Sequence, residues 1–362
     1  MSNQSASQVN MTLAKTKRSW PLRSSKKSQR ARIFKHEGAW AWLFVSPMLI
    51  GLIIFVVIPI VMSIAVSFRS WGGFTPPFDS EYVGLDNYND LLLKDGIVRQ
   101  DFAVSIRNNL YYVLGVVPTQ TFIALVLAVI LNQKLLKGRG FFRMSYYFPS
   151  ITSSIAISLI FLFMFQTRGA VNTLLPIQDI NWLNSPNGVI HNFLGVLGVD
   201  QAPGWLDDTE VFSLSLWEWI AGPSVALLSI MFLSTWTTIG TFMLIFLAAL
   251  QNIPISVEEA AALDGATWWQ RFRLVIVPMM RKSITFVVPL GILGTWQVFD
   301  QIYAISFGGP QKTTLTPAFL IYFQMFQNGK ASLGAAIAVL LFFIIMGFTL
   351  IQRVLMRGPA EV

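Results

Sequence analysis

Six stretches of mostly apolar residues alternate with polar segments along the chain. A helix needs about 20 such residues to cross the hydrocarbon core of a bilayer, and each stretch is about that long. Prolines fall inside or near the ends of several stretches, and neighbouring helices of a bundle satisfy the backbone groups that proline frees. The pattern therefore predicts an all-α, polytopic membrane protein with six transmembrane helices, at Trp40–Phe68, Leu110–Leu131, Ser145–Phe165, Pro223–Leu250, Ile284–Ser306 and Leu333–Leu355.

Charged residues between the stretches indicate the orientation. The two termini and the connections that follow the second and fourth stretches hold 19 basic and 5 acidic residues. The other three connections hold 7 basic and 12 acidic residues. Because an excess of Lys and Arg marks the cytoplasmic side, we expect both termini to be cytoplasmic.

This orientation predicts how the chain is organised. The N-terminal arm is strongly basic, and we expect it to be disordered. The predicted segments are the arm 1–38, the first span 39–68, an extracytoplasmic loop 69–109, a five-helix core 110–355 and a cytoplasmic tail 356–362. The core includes a long outer loop, 167–222, and a cytoplasmic loop, 251–283.

Composition excludes several other classes of protein. Hydrophobic residues make up 54% of the chain and charged residues 12%, which is about half the charged share of a soluble domain. The chain has no cysteine, and His36 and His191 lie far apart in sequence, so we expect no disulfide and no metal site. The net charge of +8 is concentrated on the predicted cytoplasmic face. It therefore indicates orientation and lipid contact, and we expect no nucleic-acid partner.

The outer loop 167–222 is too long to lack structure of its own. Its apolar stretch Val189–Val199 is predicted to form a short amphipathic helix. Trp217 and Trp219 precede the fourth span, where interfacial tryptophans are common. Two interpretations stay open: a cap over an outward-facing path, or an addition with no direct role.

The cytoplasmic loop 251–283 brings acidic, aromatic and basic residues together. Ser256 is the expected N-cap of a short Ala-rich helix, with Glu259 in the capping-box position. Gly265 then permits a turn, and Trp268–Val277 is expected to form a second helix that ends near Pro278. These residues alone leave two functions open, a docking element for a cytoplasmic partner or an ordinary connector.

The same loop resembles the EAA loop of ABC-importer permeases. The shared residues are Glu259-Ala260-Ala261, Gly265, Val275, Val277 and Pro278, with Val where that family usually has Ile and Leu. Other segments resemble the carbohydrate branch of the family, the maltose-type sugar permeases, among them Leu263-Asp264-Gly265-Ala266, Val83-Gly84-Leu85-Asp86-Asn87-Tyr88 and Gly308-Gly309-Pro310. The resemblance extends from about Trp42 to Leu355.

This resemblance implies a fold, a location and partners. It implies the MetI-like helix bundle of a type I importer permease in a prokaryotic cell membrane. The path would be shared with a second, homologous permease, and a solute-binding protein would deliver a sugar from outside. Two copies of an ATPase subunit would hold ATP and Mg²⁺, so this chain would bind no cofactor and would not be an enzyme. The residues that would couple to the ATPase are Glu258, Glu259, Ala260, Ala261, Asp264 and Gly265.

The resemblance also implies that substrate contacts lie on the fourth and fifth spans. The candidates that share helical faces through i, i+3 and i+4 spacing are Thr237, Thr238, Thr241, Gly291, Gly294, Thr295 and Val298. Trp296 and Gln297 are further candidates, one to stack on a sugar ring and the other to form hydrogen bonds. Pro289, Gly291 and Gly294 make a kink in the fifth span plausible. Small-residue packing between helices uses the same residue types and stays an alternative.

Asp300 is the one acidic residue that falls within a predicted span. An ionisable group in a membrane indicates function, and here we expect a gate or an interface with the second permease.

Two other kinds of transporter stay open. The chain could be an ABC permease for a polyol or a glycerol phosphate, although the span interiors contain no Lys or Arg to meet a phosphate. It could also be a secondary transporter working alone, although a proton relay needs more ionisable residues than Asp300.

Overall fold

The computed structural model describes residues 40–133, 137–175, 180–199 and 201–356. The predicted arm 1–38 and all of the tail beyond residue 356 lie outside the described residues. The chain divides into two compact units, Met1–Val61 and Met62–Val362.

Five helices in the described part are long and apolar enough to cross a membrane. They are α1 (Trp40–Ser67), α3 (Ile97–Asn132), α10 (Val225–Leu250), Arg281–Ile305 and α17 (Ala331–Leu355). A sixth span is available if α4 (Arg139–Ile151) and α5 (Ser154–Met164) are counted together. The all-α polytopic architecture is therefore confirmed.

Shorter elements connect these spans. Residues 281–305 divide into α14 (Arg281–Trp296) and α15 (Asp300–Ile305). The other short helices are α2 (Asp86–Leu92), α6 (Ala170–Leu174), α7 (Val189–Val196), α8 (Gly204–Asp207), α9 (Leu216–Ile220), α11 (Ile255–Leu263), α12 (Trp268–Arg271), α13 (Val277–Met279) and α16 (Pro317–Tyr322). A two-stranded antiparallel hairpin, β1 (Glu210–Val211) and β2 (Leu214–Ser215), precedes α9. The helix predicted in the outer loop is thus present as α7.

The second span begins earlier than its hydropathy predicts. Apolar residues suggested a start at Leu110, but α3 begins at Ile97, so the predicted loop 69–109 ends in helix. Two polar residues of this extension, Asp101 and Asn108, are bonded to a distant segment of the chain. Lys312 Nζ donates to Asp101 Oδ1 at 2.5 Å, and Asn108 Nδ2 donates to the carbonyl oxygens of Lys312 and Leu315 at 2.9 and 3.0 Å.

The third span is not the single straight helix that the apolar run predicted. α4 and α5 meet at a bend of 99°, with Thr152 extended and Ser153 also non-helical between them. Thr152 Oγ1 donates to the carbonyl oxygen of Phe148 at 2.9 Å, which satisfies one carbonyl near the break. α4 also approaches α10 closely, since a Cβ on Gly240 would lie 2.2 Å from the carbonyl oxygen of Tyr146.

Two apolar clusters pack against successive sections of α3 and α10. One contains Tyr112 of α3, Ile230 of α10, Ile302 and Phe319. The other includes Leu125, Val129, Met243, Phe246 and Phe272. Along α3 the section between the clusters contains Gln120, and along α10 it contains Ser234 and Thr238. Burying a polar group costs free energy unless the group is hydrogen-bonded. Polar residues kept between two apolar clusters therefore indicate a functional role, and the candidate site is expected in this section.

Candidate functional site

The polar section of α10 is bonded mainly within its own helix. Thr238 Oγ1 donates to the carbonyl oxygen of Ser234 at 2.8 Å, and Thr237 Oγ1 donates to the same oxygen at 3.0 Å. Thr238 Oγ1 also lies 2.6 Å from Oε1 of Gln120, which is buried on α3. These hydroxyls are therefore satisfied in the protein while they line a cavity.

α14 supplies the opposite wall of this cavity. Thr295 Oγ1 donates to the carbonyl oxygen of Gly291 at 2.8 Å. A Cβ on Gly291 would lie 2.6 Å from Nε2 of Gln120, so the glycine makes room for the buried amide. The helix runs unbroken through Pro289 and both predicted glycines to Trp296, and the break comes at residues 297–299. The span is thus interrupted just after the segment that contains Pro289, Gly291 and Gly294.

Two adjoining cavities lie between α3, α5, α10 and α14. The first has a volume of about 220 Å³ and the second about 250 Å³. They share four lining residues, Ser154, Thr238, Phe242 and Gln301. The candidate substrate contacts that line one or both are Thr237, Thr238, Thr241, Gly291, Gly294, Thr295, Gln297 and Val298.

Trp296 does not reach either cavity. Its side chain is 0% exposed, and its ring packs 5.2 Å from that of Phe348. At the end of α14, Gln297 faces the cavity and Trp296 faces the apolar cluster that contains Val113 and Ile345. Stacking of a sugar ring on Trp296, as predicted from the sequence, is therefore wrong for this conformation.

Asp300 lines the first cavity and begins α15. An acidic residue is favourable in the first turn of a helix, where backbone N–H groups carry partial positive charge. No Lys or Arg is among the described residues that line the two cavities. Asp300 is thus the charged side chain in a wall otherwise made of hydroxyls, amides, aliphatic groups and aromatic rings.

Several cavity residues were missed in the sequence. They are Gln120, Ser150, Thr152, Ser154, Ser158, Phe242 and Gln301. Gln120 carried a usable signal, since it is a polar residue in the middle of an apolar span. Ser154 and Ser158 also share a face by i, i+4 spacing, but the bend that turns α5 toward the cavity has no comparable pattern.

The EAA loop, 251–283, forms a second candidate site, which directly follows the C-terminal end of α10. α11 begins at Ile255 after Pro254, whose carbonyl oxygen accepts from Val257 N at 3.1 Å. No side chain caps this helix, so the predicted N-cap at Ser256 is wrong. The chain leaves α10 in an extended conformation at Pro254, and Ser256 is already inside the helix.

The turn after α11 follows the sequence closely. Gly265 has φ of +77°, a conformation that residues with a Cβ rarely adopt. Gly265 N donates to the carbonyl oxygen of Ala262 and Ala266 N to that of Ala261, both at 3.1 Å. Thr267 then caps α12, and Gln270 completes the capping box. The expected second helix passes through a π-helical turn, Phe272–Ile276, and ends at Met279, one residue after Pro278, close to the predicted end.

α11 has no buried residue. Leu263 is 90% exposed, and Glu259, Ala260, Asp264 and Gly265 are exposed as well. A groove of about 770 Å³ lies beside the helix and is lined by Glu258, Glu259, Trp268, Arg271 and the adjoining ends of α3 and α10. A helix that exposes its apolar and acidic side chains together is typical of a surface that another protein covers.

Comparison with known proteins agrees with this architecture. Residues 120–358 match the family described as "Binding-protein-dependent transport system inner membrane component". One relative is the "Probable starch degradation products transport system permease protein AmyD" of Thermoanaerobacterium thermosulfurigenes. It is 28% identical over 90% of this chain and 96% of its own length. The multiple sugar-binding transport system permease protein MsmF of Streptococcus mutans is 30% identical over 89% of this chain and 97% of its own length.

A solved structure shares the fold. It is the bacterial ABC transporter involved in the import of the acidic polysaccharide alginate, and the match covers 91% of this chain and 100% of the solved chain. The TM-score is 0.67 and the identity 18%. The matched family covers the α4–α5 bend, both cavities and the EAA loop, and this chain therefore belongs to the binding-protein-dependent transport system inner membrane components, the permease subunits of ABC importers.

Proposed function

We propose that this chain is the permease subunit of an ATP-driven importer for a neutral sugar or oligosaccharide. The family description includes a binding protein, and the names of the relatives AmyD and MsmF refer to starch products and sugars. The chain would share the path with a second, homologous permease in a prokaryotic cell membrane, with both termini in the cytoplasm. An extracytoplasmic solute-binding protein would deliver the substrate.

The observation that supports a sugar is the chemistry of the two cavities. Thr238, Thr295 and Gln297 offer groups that exchange hydrogen bonds with sugar hydroxyls, and Phe242 and Phe299 offer flat apolar surface. A phosphate-bearing solute would be expected to meet Lys or Arg, and the described residues of the cavity walls contain neither. This composition favours a neutral sugar over a glycerol phosphate.

The EAA loop supports the coupling half of the proposal. α11 would dock in a cleft of an ATPase subunit, with Glu259 paired to a basic residue and Ala260 and Ala261 allowing close approach. ATP and Mg²⁺ would be held by two copies of that subunit, so this chain would carry no catalytic residue. Movement of α11 would be transmitted to α10 and α14 through the apolar cluster that joins Phe272 to Phe246.

Uptake by the complete transporter tests this function. The chain is reconstituted in proteoliposomes with its second permease, ATPase and binding protein, and uptake of neutral di- and oligosaccharides is compared with that of glycerol phosphate. We expect ATP-dependent uptake of at least one neutral sugar and no competition by glycerol phosphate. Uptake of glycerol phosphate alone would overturn the choice of substrate, and sugar uptake without ATP would indicate a secondary transporter.

A further inference from the structure

α7 exposes a stripe of apolar side chains in the predicted outer loop. Ile190, Phe193 and Leu197 are spaced i, i+3 and i+7, which places them on one face of a helix. The exposed fractions of Phe193 and Leu197 are both 64%, and that of the neighbouring Val196 is 85%. The sequence from Gly188 to Val199 contains no Asp, Glu, Lys or Arg. Large apolar side chains exposed together on a folded protein mark a contact surface.

The start of α7 is tied to the end of a membrane-spanning helix. Val189 N donates to the carbonyl oxygen of Pro223 at 3.0 Å, and Ile190 N donates to that of Ala221 at 3.1 Å. Val225 N, at the first residue of α10, donates to the carbonyl oxygen of Asn187 at 3.3 Å. Because α10 crosses the bilayer, this backbone pairing holds the start of α7 at the level where the span begins.

Glycine makes this attachment close. A Cβ on Gly188 would lie 2.2 Å from the carbonyl oxygen of Ala221, and one on Gly222 would lie 2.8 Å from Cγ1 of Ile190. Side chains at either position would separate α7 from the end of α10. The short distance keeps the exposed stripe next to the membrane-water boundary.

The other side of α7 faces the protein. The His191 ring stacks on that of Trp217 with a centroid separation of 4.2 Å, and His191 Nε2 lies 3.0 Å from the carbonyl oxygen of Trp217. This side of the helix is therefore used within the chain, and the apolar stripe is turned outward. Trp217 belongs to α9, which leads directly into the span α10.

We propose that α7 lies in the surface of the bilayer, with Phe193 and Leu197 inserted at the boundary of headgroups and acyl chains. A short helix with one apolar face is suited to this position, and its attachment to α10 sets its depth. An interface with a soluble binding protein would be expected to have a polar, charged rim, which the uncharged segment 188–199 does not supply. In this position α7 holds the outer loop at the membrane surface, beside the N-terminal end of α10.

Site-directed spin labelling tests the position of α7. The chain contains no cysteine, so Phe193→Cys, Leu197→Cys and the control Asn192→Cys each provide one labelling site once cysteines of the partner subunits are replaced. Asn192 is exposed on the same helix but lies outside the stripe. The complete transporter is placed in vesicles of phosphatidylethanolamine and phosphatidylglycerol. Collisions with oxygen, which partitions into lipid, are compared with collisions with a water-soluble nickel chelate.

We expect labels at positions 193 and 197 to favour oxygen over the nickel chelate by several-fold, and the label at position 192 to favour the chelate. Equal access of the chelate to all three positions would overturn the proposal. Exclusion of both reagents from positions 193 and 197 would also overturn it, because a second protein subunit would then cover the stripe. Exclusion that appears only after the binding protein is added would assign the surface to that partner instead.

Discussion

The cavity wall and the EAA loop contain the two sets of candidate functional residues named from the sequence, but their side chains are placed differently. In the cavity wall, Gln120 is buried and Thr238 bonds both to it and to its own helix. In the EAA loop, α11 has no buried residue, and Leu263 is almost fully exposed. The cavity wall is held in place by contacts within this chain, whereas α11 of the EAA loop has its apolar surface uncovered.

This difference teaches what each region needs. A cavity whose threonine hydroxyls are already hydrogen-bonded is preorganised there, and these hydroxyls can exchange partners with a ligand at low cost. An exposed helix such as α11 gains little from the rest of this chain. Substitutions in the EAA loop should therefore weaken the contact with another protein, whereas substitutions in the cavity should weaken binding of the substrate.

Reversing the charge of Glu259 is the strongest test of this contrast. We expect Glu259→Lys to reduce ATP-dependent uptake at least about tenfold, since losing one side of an interfacial charge pair costs roughly 2–5 kcal/mol. Gly265→Asp should have the same effect on uptake, because a side chain strains the turn at φ of +77°. In both variants ATP hydrolysis should become independent of transport while membrane insertion is kept, and in Glu259→Lys thermal stability should stay unchanged. Uptake and ATPase activity are measured in the same proteoliposomes.

Glu210→Lys provides the matched control, because Glu210 is also an exposed acidic residue but lies in the hairpin β1–β2. Its uptake should equal that of the unmodified protein. Wild-type uptake by Glu259→Lys would contradict the coupling role, and so would loss of insertion, which would show that the loop stabilises this chain itself.

The EAA loop could be predicted from sequence because its motif is local. The turn at Gly265 needs only a residue that tolerates positive φ, and the structure has φ of +77° there. The position of the N-cap could not be predicted in the same way. Ser256 has suitable chemistry, but the helix begins at Ile255 because Pro254 gives the chain its extended conformation.

The cavity was predicted in part for a different reason. Helical periodicity grouped Thr238 and Gly291 each with neighbours on one face of its span, and the resemblance to sugar permeases implied that both faces meet the substrate. Both residues line the first cavity. It failed for Trp296, because the direction of a side chain at a helix end depends on where α14 stops. It also missed Ser154, which reaches the cavity through the bend between α4 and α5. Such breaks depend on contacts between distant parts of the chain.

Removing one hydroxyl from the cavity should have a smaller effect than breaking the coupling contact. We expect Thr238→Val to raise the KM for uptake roughly three- to tenfold, since one hydrogen bond contributes about 0.5–1.5 kcal/mol. ATP hydrolysis should stay coupled to transport. Initial uptake rates at a series of sugar concentrations give KM and kcat separately.

Thr235→Val is the matched control for this change. Thr235 is one turn away on α10, and its hydroxyl donates to the carbonyl oxygen of Met231 at 2.8 Å, but it lines neither cavity. It should leave KM unchanged. Equal effects of the two valine variants would show that the threonines stabilise the helix and do not meet the substrate.

His191 of the outer loop is a third case for this comparison. Like the cavity residues it has a partner within the chain, Trp217, but it lies outside the membrane-spanning helices. Burial lowers the pKa of His191 below its ordinary value of 6.5, and the nearby Arg107 guanidinium lowers it further, while the hydrogen bond to the Trp217 carbonyl acts in the opposite direction. Because the folded-state pKa is depressed, an unfolded loop takes up the proton first as the pH falls. Its folded form is therefore fully favoured above about pH 6.5 and loses stability below that pH.

Hydrogen exchange of the α7 amides, corrected for the intrinsic effect of pH, measures this change. We expect protection to fall less than about tenfold between pH 7.5 and 5.5, because His191 is only partly buried and its charge is screened by water. His191→Phe keeps a ring against Trp217 and cannot titrate, so its protection should not depend on pH. The same loss of protection in both proteins would assign the pH effect to other groups and would show that titration of His191 does not change the stability of the loop.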